Sequence, residues 1–135
     1  MPPDPPEGCG ALICGDALIE PFGPVHFIEM AERFALQARR EQAAGFSRLR
    51  LEDAPSLALC RAALIGARGS GLPVDITMRL CEDGRSPAGS SPLASLVTLQ
   101  ALGAASFGFS AGSCPQAVRE EAARLAPWAD IPFFL

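Results

Sequence analysis

Two stretches of this chain hold residues that can do chemistry where an α/β fold would use them. In "RLRLE", Arg48 to Glu52, an alternating segment runs into Glu52, with Asp53 and Pro55 just beyond. A carboxylate at the carboxyl end of a strand can face a pocket, bind an amine or act as a base. The plainer reading makes Glu52 and Asp53 the solvated start of a loop. In "SFGFSAGSCPQAVREE", Ser106 to Glu121, Cys114 stands in a small-residue loop just ahead of a helix start. The helix dipole and free N–H groups lower a thiol's pKa there. A lone thiol with no histidine in view is a weak nucleophile or metal ligand, however.

Weaker candidates have plainer alternatives. Glu82, Asp83 and Arg85 in "CEDGRSPAGS" are able to clamp a polar ligand, but Asp83-Gly84 is a turn signal and an exposed turn is favoured. His26, beside Pro24, is a conceivable proton switch and more simply an exposed or capping side chain. Cys60 and Cys14 fall on apolar elements and read as core, and Cys9 reads as tail.

These groups must be held by a small scaffold. At 135 residues the chain is long enough for one core and short for a closed eight-stranded barrel. The net charge of −4 argues against a nucleic-acid surface. All 11 basic residues are arginines, which excludes a P-loop lysine or a Schiff base. No apolar run is long enough to span a bilayer, and the N-terminus "MPPDPPEGCG" lacks the basic, then apolar, pattern of an export signal. Five cysteines without a C-x-x-C pattern fit a reduced, cytoplasmic setting.

Along the chain, residues 1–10 read as a flexible tail and 11–135 as a single α/β domain. "ALIC" (Ala11 to Cys14) is a short strand. A long helix is predicted from about Val25 to Ala44, with Phe27, Met30, Phe34 and Ala38 at helical spacing. "RLRLE" is the second strand, and Ser56 caps a helix running towards Gly71. "PVDITM" is the third strand, and Ser91-Pro92 opens a helix ending near Gly103. "SFGFS" is the fourth, Ser113 with Gln116 forms a capping-box pattern, and "IPFFL" is a fifth. Strands separated by helices predict right-handed β-α-β units: five parallel strands and four helices, either an open doubly wound sheet or half of an eight-stranded barrel.

From Ile19 to Leu135 the order of motifs resembles the homocysteine S-methyltransferase family, which includes the homocysteine-binding domain of cobalamin-dependent methionine synthase. The resemblance rests on "EPFGPVHFIEMAERFALQARREQAAGFSRLRLEDAPSLALCRAALIGARGSGLPVDITMRLCEDGR" and continues through "PLASLVTLQALGAASFGFSAGSCP". It implies a zinc-dependent α/β barrel of about twice this length, in which three thiolates hold the metal that activates homocysteine sulfur.

By position, Glu52 matches the acidic residue that binds the substrate's amino group. Gly108, Phe109, Ser110 and Ala111 match the family's Gly-x-Asn-Cys, so the zinc cysteine is Ala111 here, and Cys114 lies three residues later. The adjacent cysteine pair is missing, and the Gly15-Asp16 loop is shorter than the family's. A single thiolate does not hold catalytic zinc. Without the metal, a thiol of pKa about 8.5 is only a few per cent thiolate at neutral pH.

The resulting expectation is a half-barrel relative, non-catalytic alone, that binds a small thiol or amino acid through Glu52, Asp53, Gly108 and Ser110. It carries no cofactor of its own, and Cys114 is the weak candidate for a metal ligand. Its open edges and apolar inner face are to be covered by a second copy or a partner chain, with no nucleic acid or membrane involved. Two alternatives remain: methyl transfer when another chain completes the barrel, and a flavodoxin-like sheet binding a small anion at "SAGSCP".

Overall fold

The computed structural model describes residues 8–13 and 25–134. Its regular elements, in chain order, are β1 (Gly10–Leu12), α1 (Phe27–Ala43), β2 (Leu49–Ala54), α2 (Leu57–Ala67), β3 (Val74–Met78), α3 (Pro92–Ala101), β4 (Ser106–Phe109), α4 (Pro115–Leu125) and β5 (Phe133–Phe134). The predicted caps form at two helices. Ser56 Oγ accepts from the Leu59 N–H at 3.2 Å, and Ser91 Oγ from the Ala94 N–H at 3.3 Å, with Pro92 in the first turn.

The capping box expected from Ser113 and Gln116 is absent. Cys114 is the N-cap residue of α4, and its side chain makes no capping bond. Ser113 Oγ accepts instead from the Leu80 N–H at 2.9 Å, tying the loop before α4 to the segment after β3.

Neighbouring strands in the sheet follow chain order, β1-β2-β3-β4-β5, and every pair is parallel. Along the chain α1 packs on α2, α2 on α3 and α3 on α4. Crossovers of one hand, each stepping to the next strand on the same side, lay the helices on one face of the sheet. A doubly wound sheet needs a reversal of strand order, which creates the switch point where such folds bind ligands. Among the described residues the order has no reversal, which argues against the open doubly wound sheet of the flavodoxin-like alternative.

Four strands carry the sheet. The fifth, expected over "IPFFL", comes down to the pair Phe133–Phe134, which continues the ladder from Phe107 and Gly108. At the other end, Gly10 belongs to β1 and donates its N–H to the Arg48 carbonyl at 2.8 Å, so the strand reaches into the segment read as tail. Cys14, Gly15 and Asp16 lie outside the described residues.

The period-2 alternation of strands separates two faces. Leu12, Leu51, Ile76 and Phe107 stand in one register row and are buried with Phe34, Leu59, Leu96 and Leu99 of the helices. The alternate row holds Ala11, Arg50, Asp75 and Ser106, followed by Thr77 beside Gly108. The helix-free face is therefore polar, which corrects the expected apolar inner face. "VDITM" contains both faces: Val74, Ile76 and Met78 go to the core, while Asp75 and Thr77 go to the opposite side.

Close approach of α1 and α2 depends on one glycine. A Cβ on Gly66 would collide with the carbonyl oxygen of Ala31 and come within 3.0 Å of the Ala35 nitrogen and the Phe34 Cβ. Beside that contact, the Arg61 guanidinium lies 5.6 Å from the Phe27 ring centroid, over its face.

Candidate functional site

The carboxyl end of β2 is irregular in a way that aims side chains. Leu51 pairs with Ile76 and Ala54 with Met78, so Glu52 and Asp53 together oppose Thr77 alone. This is a β-bulge, a device that bends a strand and redirects a side chain. Asp53 carries the distortion with φ +59°, the one positive value at a non-glycine among the described residues. A left-handed backbone costs an L-residue about 1–2 kcal/mol and persists only where its surroundings hold it.

The hold is visible. The Asp53 N–H donates to Thr77 Oγ1 at 2.8 Å. Arg79, just past β3, donates from Nε to Asp53 Oδ1 at 3.0 Å and from Nη2 to Oδ2. Ser110, just past β4, donates from Oγ to Asp53 Oδ1 at 2.6 Å. The hydrogen bonds to Asp53, and then its charge, raise the Arg79 pKa above its ordinary value. One carboxylate thus ties together the ends of three strands.

Around this knot a cavity of about 480 Å³ opens, its walls including Arg50, Glu52, Arg79 and Ser110, with Ala111 and Gly112 on the loop side. Arg50 Nη1 lies 3.4 Å from Glu52 Oε1. A second cavity, of about 790 Å³, lies against β1 and β2 and shares Arg50, Glu52 and Asp53 with the first. Two guanidinium groups and two carboxylates therefore meet at the carboxyl end of the sheet, paired as Arg79 with Asp53 and Arg50 with Glu52, with Glu52 the more open of the two carboxylates.

No model of a known protein family and no curated protein matches the chain. Assignment of the site therefore rests on its own residues.

Of the residues singled out in the sequence, Glu52, Asp53 and Ser110 come together. Gly108 sits within β4 beside Thr77, deeper in the sheet than the residues that wall the smaller cavity. Cys114 is partly buried against the core and donates its N–H to the Leu80 carbonyl at 2.8 Å. Zinc, which the family resemblance implies, does not fit. Ala111 offers no donor at the matching position, and both Asp53 oxygens are engaged by Arg79 and Ser110. Among the described residues no three of His, Cys, Asp and Glu form a metal-binding group.

Glu82, Asp83 and Arg85 make the turn that their sequence suggests. Asp83 Oδ1 accepts from the Arg85 N–H at 2.9 Å, and Arg85 Nη1 donates to the Gly89 carbonyl at 3.0 Å. They also wall a groove of about 400 Å³ against α4. His26 is the exposed N-cap residue of α1 and does not cap it through its side chain.

Sequence reasoning passed over Arg50, Thr77 and Arg79. A signal existed for each. Arg50 stands two before Glu52 on the same strand, and Thr77 and Arg79 share the alternate phase of β3 with Asp75.

A second polar cluster lies at the opposite end of the same face. Asp75, only 3% exposed, accepts from Arg48 Nε at 2.5 Å, Arg48 Nη2 at 2.8 Å and Ser106 Oγ at 2.5 Å. Burial pushes its carboxyl pKa up, but the Arg48 and Ser106 hydrogen bonds and the charges of Arg48 and Arg50 outweigh it. The net pKa lies below its ordinary value. In parallel α/β sheets the amino end of the strands serves stability and the carboxyl end holds the site, which assigns Asp75 to scaffolding.

Proposed function

We propose that the chain is a homocysteine S-methyltransferase-like half-barrel that binds a small amino acid or aminothiol and does not transfer a methyl group on its own. The observation carrying this reading is the convergence of Glu52, Asp53, Arg79 and Ser110 at the carboxyl ends of three adjacent strands. Uniform strand order with helices along one face is the winding of half an eight-stranded barrel, and it supports that architecture. Glu52, exposed at the cavity, is the acceptor for a ligand ammonium group, in keeping with the position it matches in the family. Arg50 beside it suits the carboxylate. Ala111 in place of a thiolate is the reason for reading a binding module rather than a methyltransferase.

A second copy of the chain is the proposed cover for the outer edges of β1 and β5. Titration calorimetry with L-homocysteine tests the binding reading. Saturable heat is expected, with binding weakened about tenfold or more in Glu52→Gln, where a charge-assisted hydrogen bond is lost. Absence of heat at millimolar ligand overturns it. Methionine formed by the purified protein from homocysteine and a methyl donor overturns the non-catalytic part.

A further inference from the structure

Two thiols flank the contact that joins the loops after β3 and β4. Leu80 donates its N–H to Ser113 Oγ at 2.9 Å and accepts from the Cys114 N–H at 2.8 Å. Cys81 follows Leu80 directly, so one peptide unit and one hydrogen bond separate the two cysteine backbones. Standard bond lengths then hold their Cα atoms within about 7 Å of each other, against the roughly 4.4–6.8 Å that a disulfide spans.

Both cysteines also belong to one packing contact. The turn 81–85 is closed by the Cys81 N–H donating to the Arg85 carbonyl at 2.8 Å and the Gly84 N–H to the Cys81 carbonyl at 3.0 Å. It lies along α4: Gly84, Ala117 and Glu121 wall the same groove, and a Cβ on Gly84 would stand 3.2 Å from Glu121 Oε1. Cys114, the N-cap of α4, lies one turn before Ala117 and two before Glu121, at the start of the face that meets the turn. Cys81 and Cys114 are free thiols, each partly exposed, whereas Cys60 is buried and Cys9 lies by Asp75 at the opposite end of the sheet. Arg79, two residues before Cys81, and Ser110, four before Cys114, are the side chains that hold the Asp53 carboxylate.

We propose that Cys81 and Cys114 form a reversible disulfide that locks the Arg79 and Ser110 loops around Asp53. The oxidant is a low-molecular-weight disulfide. The thiolate of one cysteine attacks one of its sulfurs, forming a mixed disulfide and releasing one small thiol. The thiolate of the other cysteine attacks the protein sulfur of that mixed disulfide and releases the second small thiol. Two protein thiols and one small disulfide thus become one protein disulfide and two small thiols. The tie needs no bound amino acid and stands or falls apart from the proposed binding activity.

Equilibration of the intact protein with mixtures of reduced and oxidised glutathione, followed by alkylation and cleavage after arginine, tests it by mass spectrometry. Arg79, Arg85 and Arg119 place the two cysteines in separate peptides, 80–85 and 86–119. A joined peptide two hydrogens lighter than the pair is expected, and dithiothreitol is expected to separate it. Amide hydrogen exchange in residues 79–85 and 110–114 is expected to slow in the oxidised protein. Cys81→Ser, at a partly exposed position, is expected to exchange alike in both buffers. Separately alkylated peptides, a persistent mixed disulfide with glutathione, or pairing of either cysteine with Cys9, Cys14 or Cys60 overturns the proposal. A joined peptide with unchanged exchange overturns the locking of the two loops.

Discussion

Asp53 is the residue on which the site turns, because its strained backbone and its two engaged oxygens are one arrangement. Replacing it by asparagine keeps the shape and removes the charge that Arg79 and Ser110 bind. The ion pair is partly exposed, with the side chains 47% and 38% accessible for Arg79 and Asp53, so solvent screens it. Asp53→Asn is expected to move the urea midpoint little, while weakening amino-acid binding at least tenfold. A large stability loss with unchanged binding would make Asp53 a scaffold residue. Asp75 is the opposite case. Its folded-state pKa is depressed, so its stabilising effect is full above the unfolded value near 3.8 and fades as pH falls through the lower folded value. The urea midpoint of the wild type is therefore expected to drop below about pH 4, and Asp75→Asn is expected to flatten that drop. An equally steep acid limb in the variant would assign acid sensitivity to other carboxylates. Glu52 was picked out by its place at a strand end, and Ser110 by the family resemblance alone. Arg79 shared the alternate phase of Asp75 and Thr77, but its pairing with Asp53 was not legible, because the bulge that turns Asp53 towards it leaves no period in the sequence.

At the scale of elements, α1 and α2 pack through Gly66, where helix propensity and packing pull in opposite directions. Alanine is favoured over glycine inside a helix by about 1 kcal/mol. A methyl group at 66 has no space against the Ala31 carbonyl. Overpacking commonly costs about 1–3 kcal/mol, so Gly66→Ala is expected to destabilise despite the better propensity. A variant more stable than wild type in thermal unfolding would disprove the close crossing. The helices were largely readable in advance: Met30, Phe34 and Ala38 repeat at the helical period and are the buried residues of α1. Ser56 and Ser91 cap as their types suggest. Ser113 misled because its hydroxyl serves a neighbouring segment, a tertiary contact that local spacing does not encode. The polar sheet face was written in "VDITM" and "SFGFS", but an apolar run hides its alternation when both faces are screened from solvent.

For the molecule as a whole, the sheet leaves open what its edges meet. Among the described residues β1 pairs only with β2, and β5 only with β4. If a second copy supplies the missing neighbours, sedimentation equilibrium is expected to show a dimer whose dissociation follows protein concentration. A monomer at millimolar concentration would refute self-cover. The helix-free face bears on this too: because it is polar, two copies can share it through water and hydrogen bonds without demanding a dry seam.

Uniform strand order has a further consequence, in time instead of space. Each new strand adds beside the one just laid down, so no pairing waits for a distant later segment to arrive. A chain synthesised from its amino end is able to settle unit by unit, with every intermediate exposing one growing edge. The order of synthesis and the order of assembly then coincide, and the exposed edge at any moment is where misassembly would begin.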